Sequence, residues 1–266
     1  MINIIDLLSK EETTKLDNLV KKYDNKINEF ELSFFGSKNS SNNILTLDKF
    51  NQLNSVLSII TEKNEEKYKK KSEISLDIIM RLKEFEKTGK SINYRISIND
   101  LEKINEYLGM LHMRKNHLVF SILVGYVDSG DEVNHKIKII KKIKNYGEYL
   151  ELDDIYIKVK MDTEEKITSE EIKKLKTINK FYDQNDYDIF YRLKERNTYY
   201  ITKDKNVFAI DLTNVRTSRE INLLEKIPLD YEIEVECYIN DKSTITKNLF
   251  SVSEFIIKVI QKQKIN

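Results

Sequence analysis

Between residues 28 and 239 the chain repeatedly alternates apolar and polar positions. In "NEFELSFFG" (28–36), Glu29, Glu31 and Ser33 oppose Phe30, Leu32 and Phe34. In "SINYRISIN" (91–99), Arg95 and Ser97 oppose Tyr94, Ile96 and Ile98. A period of two is the mark of a strand with two different faces. Further segments read as strands are "ISLDIIMRL" (74–82), "HLVFSILVGY" (117–126), "HKIKIIKKIK" (135–144), "DIYIKVKM" (154–161), "DIFYRLKERN" (188–197), "YYITKD" (199–204), "NVFAIDLTNV" (206–215) and "YEIEVECYI" (231–239), with "NYGEY" (145–149) as a turn.

Helical spacing is rarer. It predicts a helix over 3–22, opened by a Ser9/Glu12 capping box, and one capped by Asp48 that carries Leu53, Val56, Leu57 and Ile60. A short helix is predicted through Leu101, Ile104, Leu108 and Leu111, another over 168–180, and a closing helix opened by a Ser251/Glu254 capping box. "EEKYKKKSE" (65–73) reads as a solvated charge run. Many strands, few helices and hairpin-length turns predict a mostly antiparallel sheet closed into a barrel. No Pro/Gly/Ser linker, internal repeat or low-complexity tail divides the 266 residues, so a single domain over 1–266 is expected.

Charge sharpens this picture. The chain has 45 Lys and Arg against 44 Asp and Glu, a net charge of +1, so no global basic field would hold nucleic acid. Anion binding must come from local placement, and the charges are placed by strand face. Glu29 and Glu31 share a face, as do Lys158 and Lys160. So do Arg192, Lys194 and Arg196; Asp211 and Thr213; and Glu232, Glu234 and Glu236. The opposite faces are largely apolar. A sheet with one wet face accounts for any one such strand. Two strands of acids and two of bases fit better with charged faces turned into a barrel bore, the apolar faces being covered by helices. The acids would hold a hard divalent cation and the bases a polyanion. Ligands that are all oxygen point to Mg²⁺ or Mn²⁺ rather than zinc.

Other chemistries are disfavoured. A single cysteine allows neither internal disulfides nor zinc clusters and fits a reducing, cytosolic-type compartment. The N-terminal residues lack the pattern of a signal peptide, and no run approaches the ~20 apolar residues of a membrane span. "TGKS" (88–91) ends like a P-loop, but Glu84 stands where the earlier glycine belongs. Cys237 precedes "YIN" rather than a phosphate-binding loop, so it is expected to pack on the outer apolar face. His112, His117 and His135 read as ordinary surface or structural residues. "IIKKIK" reads as a solvated strand face.

"EFELSF" and "YEIEVE" resemble the paired glutamate strands of the triphosphate tunnel metalloenzymes. "YRISI", "YRLKER" and "AIDLTNV" resemble that family's basic and aspartate strands, in the family's order. The likeness spans residues 28–239. It is nearest to the metal-dependent RNA 5′-triphosphatases of fungal and large DNA virus (Mimivirus-like) mRNA capping enzymes. It implies an eight-stranded antiparallel tunnel that removes the γ-phosphate of triphosphate-ended RNA. It further implies Glu29, Glu31 and Glu236 as ligands of Mg²⁺ or Mn²⁺, with Glu232 and Glu234 in support. Arg95, Arg192, Lys194 and Arg196 would grip phosphate oxygens, with Lys158 and Lys160 beside them, and Asp211 and Thr213 match the aspartate strand. A carboxylate, Glu234 by preference, would place the attacking water. The family's basic residue two before the aspartate is Ala209 here, a contact that Arg216 or Lys142 would have to supply. No guanylyltransferase KxDG motif or glycine-rich methyl-donor motif is present, so those activities would lie on other domains or subunits. A viral source would place the protein in the host cytoplasm, the viral factory or the virion. The alternatives are a tunnel phosphatase for tripolyphosphate, NTP or thiamine triphosphate, and a catalytically silent polyanion-binding module.

Overall fold

A computed structural model describes residues 14, 17, 18, 21, 29–36, 46–64, 68–83, 91–111, 116–131, 136–152, 155–177, 186–238 and 242–261. The expected helix over 3–22 with its Ser9/Glu12 box, as well as His112, His135 and "TGK" (88–90), lie outside these residues, apart from the four helical positions 14, 17, 18 and 21.

Eight strands form the frame: β1 (Glu29–Gly36), β2 (Tyr68–Leu82), β3 (Ser91–Ile98), β4 (Ile137–Leu152), β5 (Ile155–Lys166), β6 (Tyr187–Lys203), β7 (Asn206–Ser218) and β8 (Asp230–Tyr238). Every neighbouring pair is antiparallel, and the order β1-β5-β4-β3-β2-β6-β7-β8 closes on itself through β8 and β1. Closure leaves no free sheet edge. The expected closed, eight-stranded antiparallel tunnel is therefore what the chain forms.

The period-two pattern decides which face turns inward. Phe30, Leu32, Phe34, Val159, Phe208, Ile210, Leu212, Ile233 and Val235 point outward into an apolar shell. Two helices cover it, α1 (Leu47–Lys63) with Phe50, Leu53 and Leu57, and α5 (Lys242–Gln261) with Ile245, Leu249 and Ile256. On the other side Leu76, Ile78, Met80, Ile96, Ile98, Ile189 and Tyr191 point outward. There α2 (Leu101–Leu111), α3 (Asn116–Asp128), α4 (Ser169–Lys176) and a 3-10 turn (Ile221–Lys226) bury Ile104, Tyr107, Phe120, Leu123, Leu175 and Leu224 against them. The hydrophobic driving force thus acts between barrel and helices, and the charged faces are left to the bore. Cys237 packs in the first shell as expected, and burial pushes its thiol well above the ordinary range.

Several elements differ from the sequence reading. "HLVFSILVGY" is helix α3, not a strand. A continuous apolar run has no period to read, and its buried Val119, Phe120, Leu123 and Val124 fall on one helical face. "EEKYKKKSE" is not a solvated tail, because from Tyr68 onward it is the first half of β2, paired with β6 through Tyr199 and Thr198. "NYGEY" is no turn: β4 runs through it, with a register shift between Lys144 and Tyr146. "DIFYRLKERN" and "YYITKD" are one strand, β6. α1 is capped by Thr46, whose hydroxyl accepts from the Lys49 N–H, and Asp48 lies in its first turn. α5 begins at Lys242, so Ser251 and Glu254 are interior to it. Ser251 accepts a hydrogen bond from Lys203 at 2.7 Å instead of capping. α4, over 169–176, carries the full Thr168/Glu171 capping box.

Candidate functional site

Facing residues of neighbouring strands bring the predicted charges together in the bore. Glu31 stands opposite Glu236 on β8 and Lys160 on β5, and Ser33 stands opposite Glu234 and Lys158. Asp211 faces Glu234 and Thr198, and Thr213 faces Glu232 and Arg196. Asp77 faces Arg192 and Ser97.

The bore holds two chambers. The first, about 460 Å³, is lined by Glu31, Glu73, Asp77, Glu164, Glu234 and Glu236 among its acids, and by Lys71, Arg95, Lys160, Arg192, Lys194 and Arg196 among its bases. The second, about 380 Å³, is lined by Arg81, Asn93, Lys144, Asp162, Phe190 and Thr217. Arg95, Lys142, Lys160 and Arg192 line both, so they form a basic waist between them.

Ion pairing decides which charges survive burial. The Lys160 ammonium donates to Glu31 Oε1 at 2.5 Å and reaches Glu234 Oε1 at 3.5 Å. The Ser33 hydroxyl donates to Glu31 at 2.6 Å and lies 3.3 Å from Glu234. Burial alone would raise Glu31, but Lys160 and Lys142 hold it well below the usual carboxylate range. Glu234 goes the other way. Burial and the neighbouring Glu31 charge push it up to about 8. Arg196 donates Nε to Thr213 Oγ1 at 3.2 Å and pairs with Asp211 at 2.9 Å, with Glu234 at 3.9 Å. Burial still raises Asp211, although Arg196 and the Thr198 hydroxyl at 2.6 Å oppose it. Lys194 is ion-paired with Asp77, which also accepts from Ser97 at 2.8 Å; burial would lift Asp77, yet Lys194 and Arg95 keep it depressed. Arg95 pairs with Glu164 at 2.8 Å.

Most predicted residues therefore share one bore, with distinctions. Glu232 is held by Arg192 through two contacts of 2.7 and 2.6 Å. Lys158 lies on the bore face of β5 next to Lys160 but lines neither chamber. Glu29 stands opposite Asp162 in the β1–β5 register. Of the two substitutes for a base at Ala209, Lys142 enters the bore and pairs with Asp162 at 3.3 Å. Arg216 is on the outer face, donating to the Ile227 carbonyl at 3.1 Å. "IIKKIK" is accordingly not a solvated face, since Lys141 outside pairs with Glu171 at 3.0 Å while Lys142 turns inward. The idea of strands carrying one sign also needs correction. β5 continues past Lys158 and Lys160 into Asp162 and Glu164, which enter the bore. Asp77, Glu73, Lys71 and Arg81 on β2 were missed. Ser75, Asp77 and Arg81 are at even spacing in "ISLDIIMRL", which was the available signal.

The donors suit a hard divalent cation. Glu31, Glu234 and Glu236 offer only oxygen, and Glu31 and Glu234 crowd two carboxylates against one ammonium. Among the described residues no three acidic or His/Cys side chains enclose an ion as they stand. The Lys160 ammonium lies between Glu31 and Glu234 and supplies the positive charge there.

No family model matches the chain. It is 27% identical over 266 residues to the probable mRNA-capping enzyme of Acanthamoeba polyphaga mimivirus, covering 99% of this chain but only 20% of that protein. Among solved structures it resembles the Mimivirus capping enzyme triphosphatase with a TM-score of 0.67 and 25% identity, over 96% of this chain and 100% of the other. It shares a fold, at TM-score 0.54 and 11% identity, with the S. pombe RNA triphosphatase Pct1, over 99% of this chain and 98% of the other. The closed tunnel and the order of its charged strands give the chain the triphosphate tunnel fold, and these likenesses are to RNA triphosphatases of mRNA-capping enzymes.

Proposed function

We propose that the chain is an RNA 5′-triphosphatase domain, which hydrolyses the γ-phosphate of triphosphate-ended RNA to leave a 5′-diphosphate, the first step of mRNA capping. The carrying observation is the bore itself. One wall gathers Glu31, Glu234 and Glu236 with Lys160 between Glu31 and Glu234, and the rest of the bore gathers Arg95, Arg192, Lys194 and Arg196. A triphosphate needs its charge neutralised on several oxygens at once and its terminal phosphorus left open to in-line attack. The arginines suit bidentate contact with phosphate oxygens, and the lysines add point charges.

Glu31, Glu234 and Glu236, with Glu29 beside them on β1, would hold Mg²⁺ or Mn²⁺, which would supply Lewis-acid polarisation of the transferred phosphate. Lys160, seated between Glu31 and Glu234, would then be released toward substrate oxygens. Glu234, next to Glu31 and Lys160 in the bore, is the carboxylate assigned to orient the attacking water. Arg196 ties this carboxylate to the Asp211–Thr213 strand and so fixes the geometry of both. Guanylyl and methyl transfer would be the work of other domains or subunits, and the mimivirus relative is about five times as long as the matched segment.

Purified protein incubated with triphosphate-ended RNA, tripolyphosphate and ATP tests this reading. Phosphate release from RNA with Mg²⁺ or Mn²⁺, abolished by excess EDTA, is expected. Release that persists undiminished in EDTA overturns the metal assignment. Tripolyphosphate cleavage without RNA turnover moves the chain to the small-substrate phosphatases, and inertness toward all three leaves a polyanion-binding module.

A further inference from the structure

The two ends of the bore differ in kind. At the first chamber's mouth Lys71 is paired with Glu73 at 2.5 Å and the Tyr238 hydroxyl is tied to Glu236 at 3.1 Å, and Lys138 adds a cation to a lining that carries six carboxylates. In the second chamber Arg81 and Lys144 both face the cavity, and among the described residues no carboxylate lies at ion-pair distance from either. Asp162, the acid that lines this chamber, is engaged by Lys142. Phe190 forms part of the wall, with the Arg81 guanidinium 5.4 Å from its ring centre and the Arg219 guanidinium 5.2 Å from it. At the rim Lys83 and Arg219 share one acid, Asp188, at 3.4 and 3.6 Å.

We infer that, given the RNA triphosphatase reading above, the RNA body occupies the second chamber, its 5′-terminal base stacked on the Phe190 wall and its first phosphodiesters on Arg81 and Lys144. The polarity of the bore gives the direction. Acids that suit a cation and the terminal phosphate crowd the first chamber, the waist of Arg95, Lys142, Lys160 and Arg192 spans the middle of a triphosphate, and uncompensated cations with an aromatic ring follow. Two like charges facing one cavity repel each other until an anion enters. Desolvation and the Arg81 charge already pull the Lys144 ammonium below its ordinary value. An aromatic ring flanked by guanidinium planes is a sequence-tolerant platform for a base, and every mRNA 5′ end must be accepted. Inorganic tripolyphosphate has neither a base nor a phosphodiester and makes no use of this chamber.

The test is the ratio of kcat/KM for a triphosphate-ended RNA oligomer to that for inorganic tripolyphosphate. Phe190→Leu keeps apolar bulk but removes the stacking face, and Arg81→Gln keeps length but removes the charge. Circular dichroism would show that both are folded. Each variant is expected to lower the ratio on the order of tenfold, the scale of one base–aromatic stack or one phosphate contact, through KM for RNA. An unchanged ratio in both, in a protein that hydrolyses RNA, overturns the proposal. A larger fall in Lys138→Gln, at the opposite mouth, also overturns it, because RNA then enters from that end. Absence of RNA hydrolysis in the unmodified protein refutes the functional reading itself, a distinct outcome.

Discussion

Arg196→Lys keeps a positive charge in the bore and removes only its shape. Arg196 spends Nε on Thr213 Oγ1 at 3.2 Å, Nη1 on Asp211 at 2.9 Å and directs Nη2 toward Glu234 at 3.9 Å. A lysine ammonium is a single point. It can follow Asp211 but cannot also hold Thr213 and aim at Glu234. One oriented, charge-assisted contact of about 1.5–3 kcal/mol is lost, roughly a tenfold to hundredfold drop in kcat/KM. Asp211 keeps its cation, so the fold should survive. Glu195, the next residue, is exposed on the outer face and serves as the internal control. Glu195→Gln should stay within about twofold, the effect of an ordinary surface change near 0.5 kcal/mol. Steady-state phosphate release from triphosphate RNA measures both. Equal, small effects from the two substitutions would show that β6 is not a catalytic wall, and the reasoning from its register would fail.

Glu31→Ala and Glu236→Ala, with Glu29→Ala beside them, should abolish turnover while thermal melting shows a folded barrel, because Lys160 keeps Glu234 as its counter-charge when Glu31 is removed; near-normal rates in any folded variant contradict the ligand set. Lys194→Met should destabilise the protein by about 3–5 kcal/mol in urea, since it strands the buried Asp77 carboxylate without its ion-pair partner; a loss below about 1 kcal/mol would mean that Asp77 finds another cation. In EDTA, Glu234 makes stability pH-dependent. Its folded pKa, about 8, lies above the ordinary 4.5, so its contribution is full at low pH and is lost as pH rises through 8. Melting temperature should fall from pH 5 to pH 9, and Glu234→Gln should flatten that slope; a slope unchanged in the variant places the titration elsewhere.

Where alternation was clean, the sequence was enough. Glu31, Arg95, Arg192, Lys194, Arg196, Asp211 and the three β8 glutamates could be assigned a face because Phe, Leu, Ile and Val marked the opposite one. What was illegible has physical causes. α3 is apolar throughout, so no period distinguishes it from a buried strand. The first half of β2 is lysine-rich because it extends beyond the core, and its Lys71 and Glu73 look like tail residues until β6 pairs with them. The register shift at Lys144/Tyr146 mimics a turn, as Gly147 also suggests. Which acid pairs with which base depends on register between strands distant in sequence, as for Asp77 with Lys194 or Arg95 with Glu164, and no local pattern carries that.

The central claim is the identity of the bond broken, and RNA labelled separately at the γ- and β-phosphates tests it most directly. With Mg²⁺ or Mn²⁺, the γ label should leave as orthophosphate while the β label stays on RNA ending in a diphosphate. Release of the β label, or retention of both by a protein that still cleaves tripolyphosphate, would contradict it.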